Sequence, residues 1–221
     1  MENGGIGVTS AALQWLALVA MLIDHLGYLF FPGIPLLRAV GRLSFPIFAF
    51  LLAEGLAYTA NVKRYALRLW AFAVFSEVPY QLFTYGRLAV LPWHNVMFEL
   101  LLMLAAAWLA QRGGWGFLGA AGIAVAASAG GFMYGAYGVA LAVCFTFTRK
   151  KPWLRAACLA ACTAAYCFSR GSLFQVWAIL AAAPLLLYNG QRGRRGPRYF
   201  FYGFYPAHLM LLALAKLWLA A

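Results

Sequence analysis

Acidic residues are scarce in this sequence. Only five of its 221 residues are Asp or Glu, and charged residues of both signs make up 10%. A soluble domain carries roughly a quarter charged residues, so this scarcity excludes an ordinary soluble fold. No polar stretch is long enough to form a separate soluble domain, and residues 1–221 are read as one membrane domain. There is no internal repeat and no low-complexity tail. Cysteine is also sparse. Cys144, Cys158, Cys162 and Cys167 lie in or beside apolar runs, with no C-x-x-C and no histidine at ligand spacing. They read as small apolar packers, and no metal is expected.

What is abundant is apolar sequence, 65% of the chain. Nine apolar runs are found, at 11–31, 43–60, 65–85, 94–111, 115–132, 134–148, 153–168, 172–188 and 199–219. Gly, Pro and basic residues punctuate them. A bilayer-spanning helix needs about 20 such residues. The expected fold is therefore all-α, a polytopic integral membrane bundle of about nine transmembrane helices, or eight if the short run at 134–148 does not span. The first run has no basic residues ahead of it and no small-residue cleavage site, and it contains Asp24 and His25. It is expected to be a retained helix rather than a signal peptide.

The formal net charge of +12 sits in short loops between apolar runs, which is cytoplasmic anchoring rather than a nucleic-acid surface. With the N-terminus inside and the runs alternating, twelve basic residues fall in inner loops and five outside. That places the C-terminus outside. It puts Asp24, His25, Arg42, His94, Asn95, Glu99 and Gln175 towards the outer face, and Glu77 and His208 near mid-membrane.

Four of the five acids, Asp24, Glu54, Glu77 and Glu99, lie within apolar runs. Each would cost about 2.5–3.5 kcal/mol near a helix centre if left unpaired. They should pair with Arg or His, or face a wet cavity. Asp24 with Arg42 is the readiest pair. His25 follows Asp24 directly, so the two point about 100° apart, whereas Tyr28 shares the His25 face and could hydrogen-bond it. His25 is a candidate general base, and Arg42 could hold Asp24 or polarise an acyl carbonyl. Arg64 and Arg68 suit phosphate. Glu77 sits beside the Pro79 kink, and Asn95 and Glu99 are spaced to share one helix face. Asn189, Arg192 and Arg195 belong to a Gly-punctuated basic loop. Tyr202, Tyr205 and His208 step by three along the last run, a polar stripe that such a loop would feed.

These motifs, in this order, resemble the TraX family. The resemblance rests on Ile23-Asp24-His25-Leu26-Gly27, Gly41-Arg42 through Phe48, Ser76-Glu77-Val78-Pro79, Tyr188-Asn189-Gly190-Gln191-Arg192-Gly193 and Tyr205-Pro206-Ala207-His208-Leu209. It spans essentially the whole chain. One departure is the basic residue after the Y-N-G-x-R-G loop. A lysine is expected there, and Arg194, Arg195 and Arg198 stand in its place.

The resemblance implies an acetyltransferase of the bacterial cytoplasmic membrane, related to an enzyme that acetylates the N-terminus of conjugative pilin. It implies cytoplasmic acetyl-CoA as donor and an amine or hydroxyl of an outer-face acceptor, such as a pilin-like peptide, a lipid or a surface glycan. The catalytic set would be His25, Asp24, Arg42 and His208. Glu77, Asn95, Glu99, Gln175, Tyr202 and Tyr205 would contact substrate. Arg64, Arg68, Asn189, Arg192 and Arg195 would hold the CoA phosphates. Two rivals use the same residues differently. A proton-coupled transporter would use the buried acids and histidines as a relay, although the chain lacks repeated halves. A structural scaffold would use them only as ion pairs.

Overall fold

A computed structural model describes residues 7–88, 94–194 and 200–220. Among these, the regular structure is helical. The helices are α1 (Ser10–Phe30), α2 (Pro35–Gly41), α3 (Ser44–Tyr58), α4 (Val62–Tyr85), α5 (Val96–Ala110), α6 (Trp115–Ala129), α7 (Ala136–Thr148) and α8 (Pro152–Arg170). A 3-10 segment, Leu173–Ala181, runs into α9 (Ala182–Leu186), and α10 (Phe200–Ala220) follows. Local signals set several of the ends. Thr9 and Asn61 cap α1 and α4 by accepting backbone N–H groups. Gly86 and Gly171 end α4 and α8 in the left-handed conformation that glycine adopts without strain.

The all-α class holds, but the expectation of nine or eight spans does not. Among the described residues, three segments are long and apolar enough to cross a membrane: Ser10–Phe30, Pro35–Tyr58 and Phe200–Leu219. The physical reasons are length and charge. Helices α5, α6 and α7 have 15, 15 and 13 residues. At about 1.5 Å per residue, all three fall short of a hydrocarbon core about 30 Å thick. Helices α4 and α8 are longer, but α4 carries Lys63, Arg64, Arg68 and Glu77, and α8 carries Arg155 and Arg170. The sixth apolar run proves to be α7, and the eighth is mostly 3-10 helix.

The bundle has an apolar outside and a polar inside. Trp115, Trp153, Phe168 and Trp218 are each more than three-quarters exposed, a surface suited to lipid rather than water. Glu54, Glu77, Asn95, Glu99, Arg155, Gln175 and His208 are buried. The chain therefore forms a membrane-embedded helical protein. Its core centres on α3, with Ile47, Ala49, Phe50 and Ala53 fully buried. Small residues at Ala106, Ala107 and Ala142 bring α5 and α7 close together.

Two ends of the bundle can be told apart. At one end the residues leading into α1 and its first turn meet the 187–192 loop, where Val8 N–H donates to the Leu187 carbonyl and Ala11 N–H to that of Arg192. Glu54 at the foot of α3 accepts from Arg149 Nε at 2.7 Å and from the Tyr188 hydroxyl at 2.9 Å. Arg155, 1% exposed, donates to the carbonyls of Arg149 and Leu185 under the Phe50 ring. The opposite end holds Asp24, Arg38 and Arg42.

Candidate functional site

The site begins with the turn between α1 and α2. Pro35 opens α2, where a missing N–H costs no helical bond. Two glycines then let α2 lie close on α1. A Cβ at Gly27 would strike Leu37, and a Cβ at Gly41 would fall on the Asp24 side chain. With that approach made, Arg42 Nη2 stands 3.3 Å from each Asp24 oxygen, and Arg38 Nε stands 2.9 Å from Oδ1. The sequence pointed to Arg42 as the partner. Arg38, four residues earlier on the same helix face, was missed, although its spacing from Arg42 was the available signal.

The next residue of α1 after Asp24, His25, faces α10. Its Nδ1 lies 2.7 Å from His208 Nε2, and His208 Nδ1 lies 2.7 Å from the Phe204 carbonyl oxygen. A carbonyl oxygen can only accept, so the neutral His208 carries its proton on Nδ1 and accepts at Nε2. His25 must then donate from Nδ1. The lone pair of a neutral His25 is left on Nε2. The expected His25–Tyr28 pairing is not the one found. Tyr28 packs on Phe83 and under the Arg38 guanidinium instead, and the His25 partner comes from 183 residues away.

His25 lines a cavity of about 230 Å³ enclosed by α1, α3, α4, α5 and α10. Asp24, Arg38, Arg42 and Tyr205 line it too, with Ser44, Tyr80, His94 and Tyr134, and the remaining wall is largely apolar. Of these, Ser44, Tyr80 and Tyr134 carried no sequence signal, because isolated hydroxyls in apolar runs are common. Along α10 the lining runs from Phe201 to Leu209, a rise of about 12 Å. The polar residues sit at the α2 end, and Phe201 reaches towards the end that holds the basic loop.

Other sequence candidates lie outside this wall. Glu77 accepts from Gln81 Nε2 at 2.9 Å and from Asn95 Nδ2 at 2.6 Å, and Asn95 also donates to the Ala73 carbonyl. Asn95 caps α5 rather than pairing with Glu99. Glu99 accepts at Oε1 from the backbone N–H groups of Tyr134 and Gly135, at 3.0 and 2.6 Å. Glu77 and the Oε1 of Glu99 take neutral donors, and the Oε2 of Glu99 is buried without a hydrogen-bond partner, whereas Asp24 and Glu54 have arginines. Asn95 and Glu99 are fully buried, so they brace α4, α5 and α7 behind the cavity.

Gln175 lines a second cleft beside Arg42. Tyr202 stacks on Phe72 near Arg68. Arg64 and Arg192 are exposed and Arg68 is half-buried, all at the basic end. Asn189 accepts from the Gln191 N–H in that loop. Arg195 and Arg198 lie outside the described residues. No group of three or more metal-ligating side chains is found among the described residues.

A lipid-facing helical bundle that keeps a histidine pair and an Asp–Arg cluster around one internal cavity defines an integral membrane protein with a buried polar centre. The family model described as TraX protein matches residues 9–216, and the chain belongs to that family. It is 30% identical over 243 aligned residues to the "Probable fimbrial assembly protein FimC, serogroup H1" of Dichelobacter nodosus, covering 97% of this chain and 98% of that protein. It is 27% identical to a "Protein TraX" of Escherichia coli, covering 93% and 86%. The match to "Protein TraX" of Escherichia coli strain K12 is 30% identical, covering 68% and 60%. No solved structure matches the chain.

Proposed function

We propose that this protein is a membrane acetyltransferase that moves an acetyl group from acetyl-CoA to an amine or hydroxyl of an acceptor. The observation that carries the reading is the histidine pair. A base needs an unprotonated nitrogen aimed at its substrate, and the Phe204–His208–His25 chain leaves the His25 Nε2 lone pair for the cavity. His25 takes the proton from the acceptor nucleophile, which attacks the thioester carbonyl. Arg42, on the same wall, polarises that carbonyl and the oxyanion that follows. The C–S bond breaks, and His25 returns the proton to the departing thiolate. Asp24, itself paired with Arg38, holds Arg42 in place.

The donor's phosphates suit the basic end, where Arg64, Arg68 and Arg192 stand, and the apolar wall between Phe201 and Leu209 suits the slender arm that carries the thioester. The gathering of arginines at that end favours the cytoplasmic side for it. Similarity to a fimbrial assembly protein favours a surface-filament subunit as acceptor. The test is release of free CoA from acetyl-CoA by the purified protein, with candidate acceptors added. Substrate uptake into proteoliposomes without acetyl-CoA would favour a transporter instead.

A further inference from the structure

Behind Arg42 lies a second cleft, of about 360 Å³, that the transfer step does not use. It is bounded by the end of α8, the start of the 3-10 helix and the turn at Met133. Arg42 and Met133 line both this cleft and the histidine cavity. The cleft is therefore the cavity's neighbour across a single guanidinium.

Two of its nitrogen donors make no hydrogen bond of normal geometry. Gln175 is 5% exposed and lines the cleft, and beyond a loose interaction with the Tyr137 hydroxyl its Nε2 makes no hydrogen bond of normal geometry. Arg42 Nε is buried and also makes none. A buried donor is normally satisfied, so an unmade bond at a concave wall points to a ligand oxygen. Arg170 stands at the mouth, exposed, with its guanidinium over the Tyr166 ring. Charge points the same way. Asp24 already serves both Arg38 and Arg42, and Arg170 adds a further guanidinium to a cleft lined by no carboxylate. Guanidinium and amide N–H groups converging on one space recognise an oxyanion.

We propose that this cleft binds a carboxylate or phosphate group, and that the group belongs to the acceptor. Its amine or hydroxyl then reaches His25 past Arg42. Anion binding rests on the cleft alone, whereas assigning the anion to the acceptor rests on the acetyl-transfer reading. Specificity would follow from this arrangement, because an acceptor without the anion leaves Gln175 and Arg170 unanswered.

The experiment is a binding titration of the full chain in neutral phosphatidylcholine nanodiscs with inorganic phosphate and with acetate, at constant ionic strength held by chloride. Saturable binding is expected, weakened about tenfold or more by Arg170→Gln and by Gln175→Leu, and partly kept by Arg170→Lys. Arg170 is exposed, so Arg170→Gln carries the test even if Gln175→Leu fails to fold. A response no different from chloride, or phosphate binding that both variants leave intact, overturns the proposal. Repeating the titration with phosphatidylglycerol in the disc separates the sources. Competition identifies an anionic lipid headgroup as the natural occupant, and its absence identifies a soluble acceptor. None of these readouts needs turnover, so a failure of the transfer reading is distinguishable from a failure of this one.

Discussion

His208 holds His25 through a bond of 2.7 Å between the two rings, and is itself held by the backbone of its own helix. The two residues therefore have different roles. His25 lines the cavity and His208 does not, which makes His208 a positioning residue.

The first prediction separates those roles. His208→Phe removes the acceptor that sets the His25 tautomer. It should lower kcat by about 10- to 100-fold, with KM for acetyl-CoA little changed, because the base is present but misoriented. His208→Gln, which offers an acceptor oxygen, should recover part of the loss and restore the shape of the pH profile. Steady-state kinetics across pH reads both. Equal losses in kcat and KM from the two variants would contradict the assignment.

Asp24→Asn should be the more damaging change at the arginine cluster. It leaves Arg38 and Arg42 without a counter-charge in a partly buried place, and breaking such a pair costs about 3–5 kcal/mol. Arg38→Gln should cost about 1 kcal/mol or less, because Arg38 is 29% exposed and Arg42 still serves Asp24. Thermal unfolding in one detergent ranks the variants.

Gly41→Ala should behave like an Asp24 variant although it removes no polar group. Its new Cβ falls on the Asp24 side chain. Overpacking of this kind costs about 1–3 kcal/mol, and here it also pushes the carboxylate away from Arg42. Loss of turnover exceeding the loss of stability is the expected signature.

The latch at the basic end has a pH signature. Burial pushes the Tyr188 phenol up to about 12, opposed by its bond to Ser10 and reinforced by its bond to Glu54. Its value in an unfolded chain is about 10. A raised folded value means the contribution is complete below pH 10 and is lost as pH rises through 12. Tyr188→Phe should thus lower Tm at neutral pH, and the gap from wild type should narrow from about pH 10 to about pH 12. A gap that widens would contradict the assigned bond.

Much of the site was legible because acids in apolar runs are rare enough to notice individually. Asp24, His25, Arg42, Tyr205 and His208 could be named from that and from the ordered motifs, and all five meet at or beside one cavity. The Asp24–Arg42 pair was readable from charge alone. The partner of His25 was not, because no local periodicity links positions 183 residues apart. Glu77, Asn95 and Glu99 looked like substrate groups because burial of an acid demands a partner, and sequence cannot show that neutral amides and backbone N–H groups supply it. The number of crossing helices failed for a different reason. Apolar runs mark burial, and α5, α6 and α7 are apolar but too short to cross unaided.

The most direct measurement is the rate of CoA release from acetyl-CoA by the purified wild type, compared with His25→Ala of equal thermal stability. The account predicts acceptor-dependent turnover in the wild type and a fall of about 10²- to 10⁴-fold in the variant. Turnover in His25→Ala that equals the wild type would contradict it.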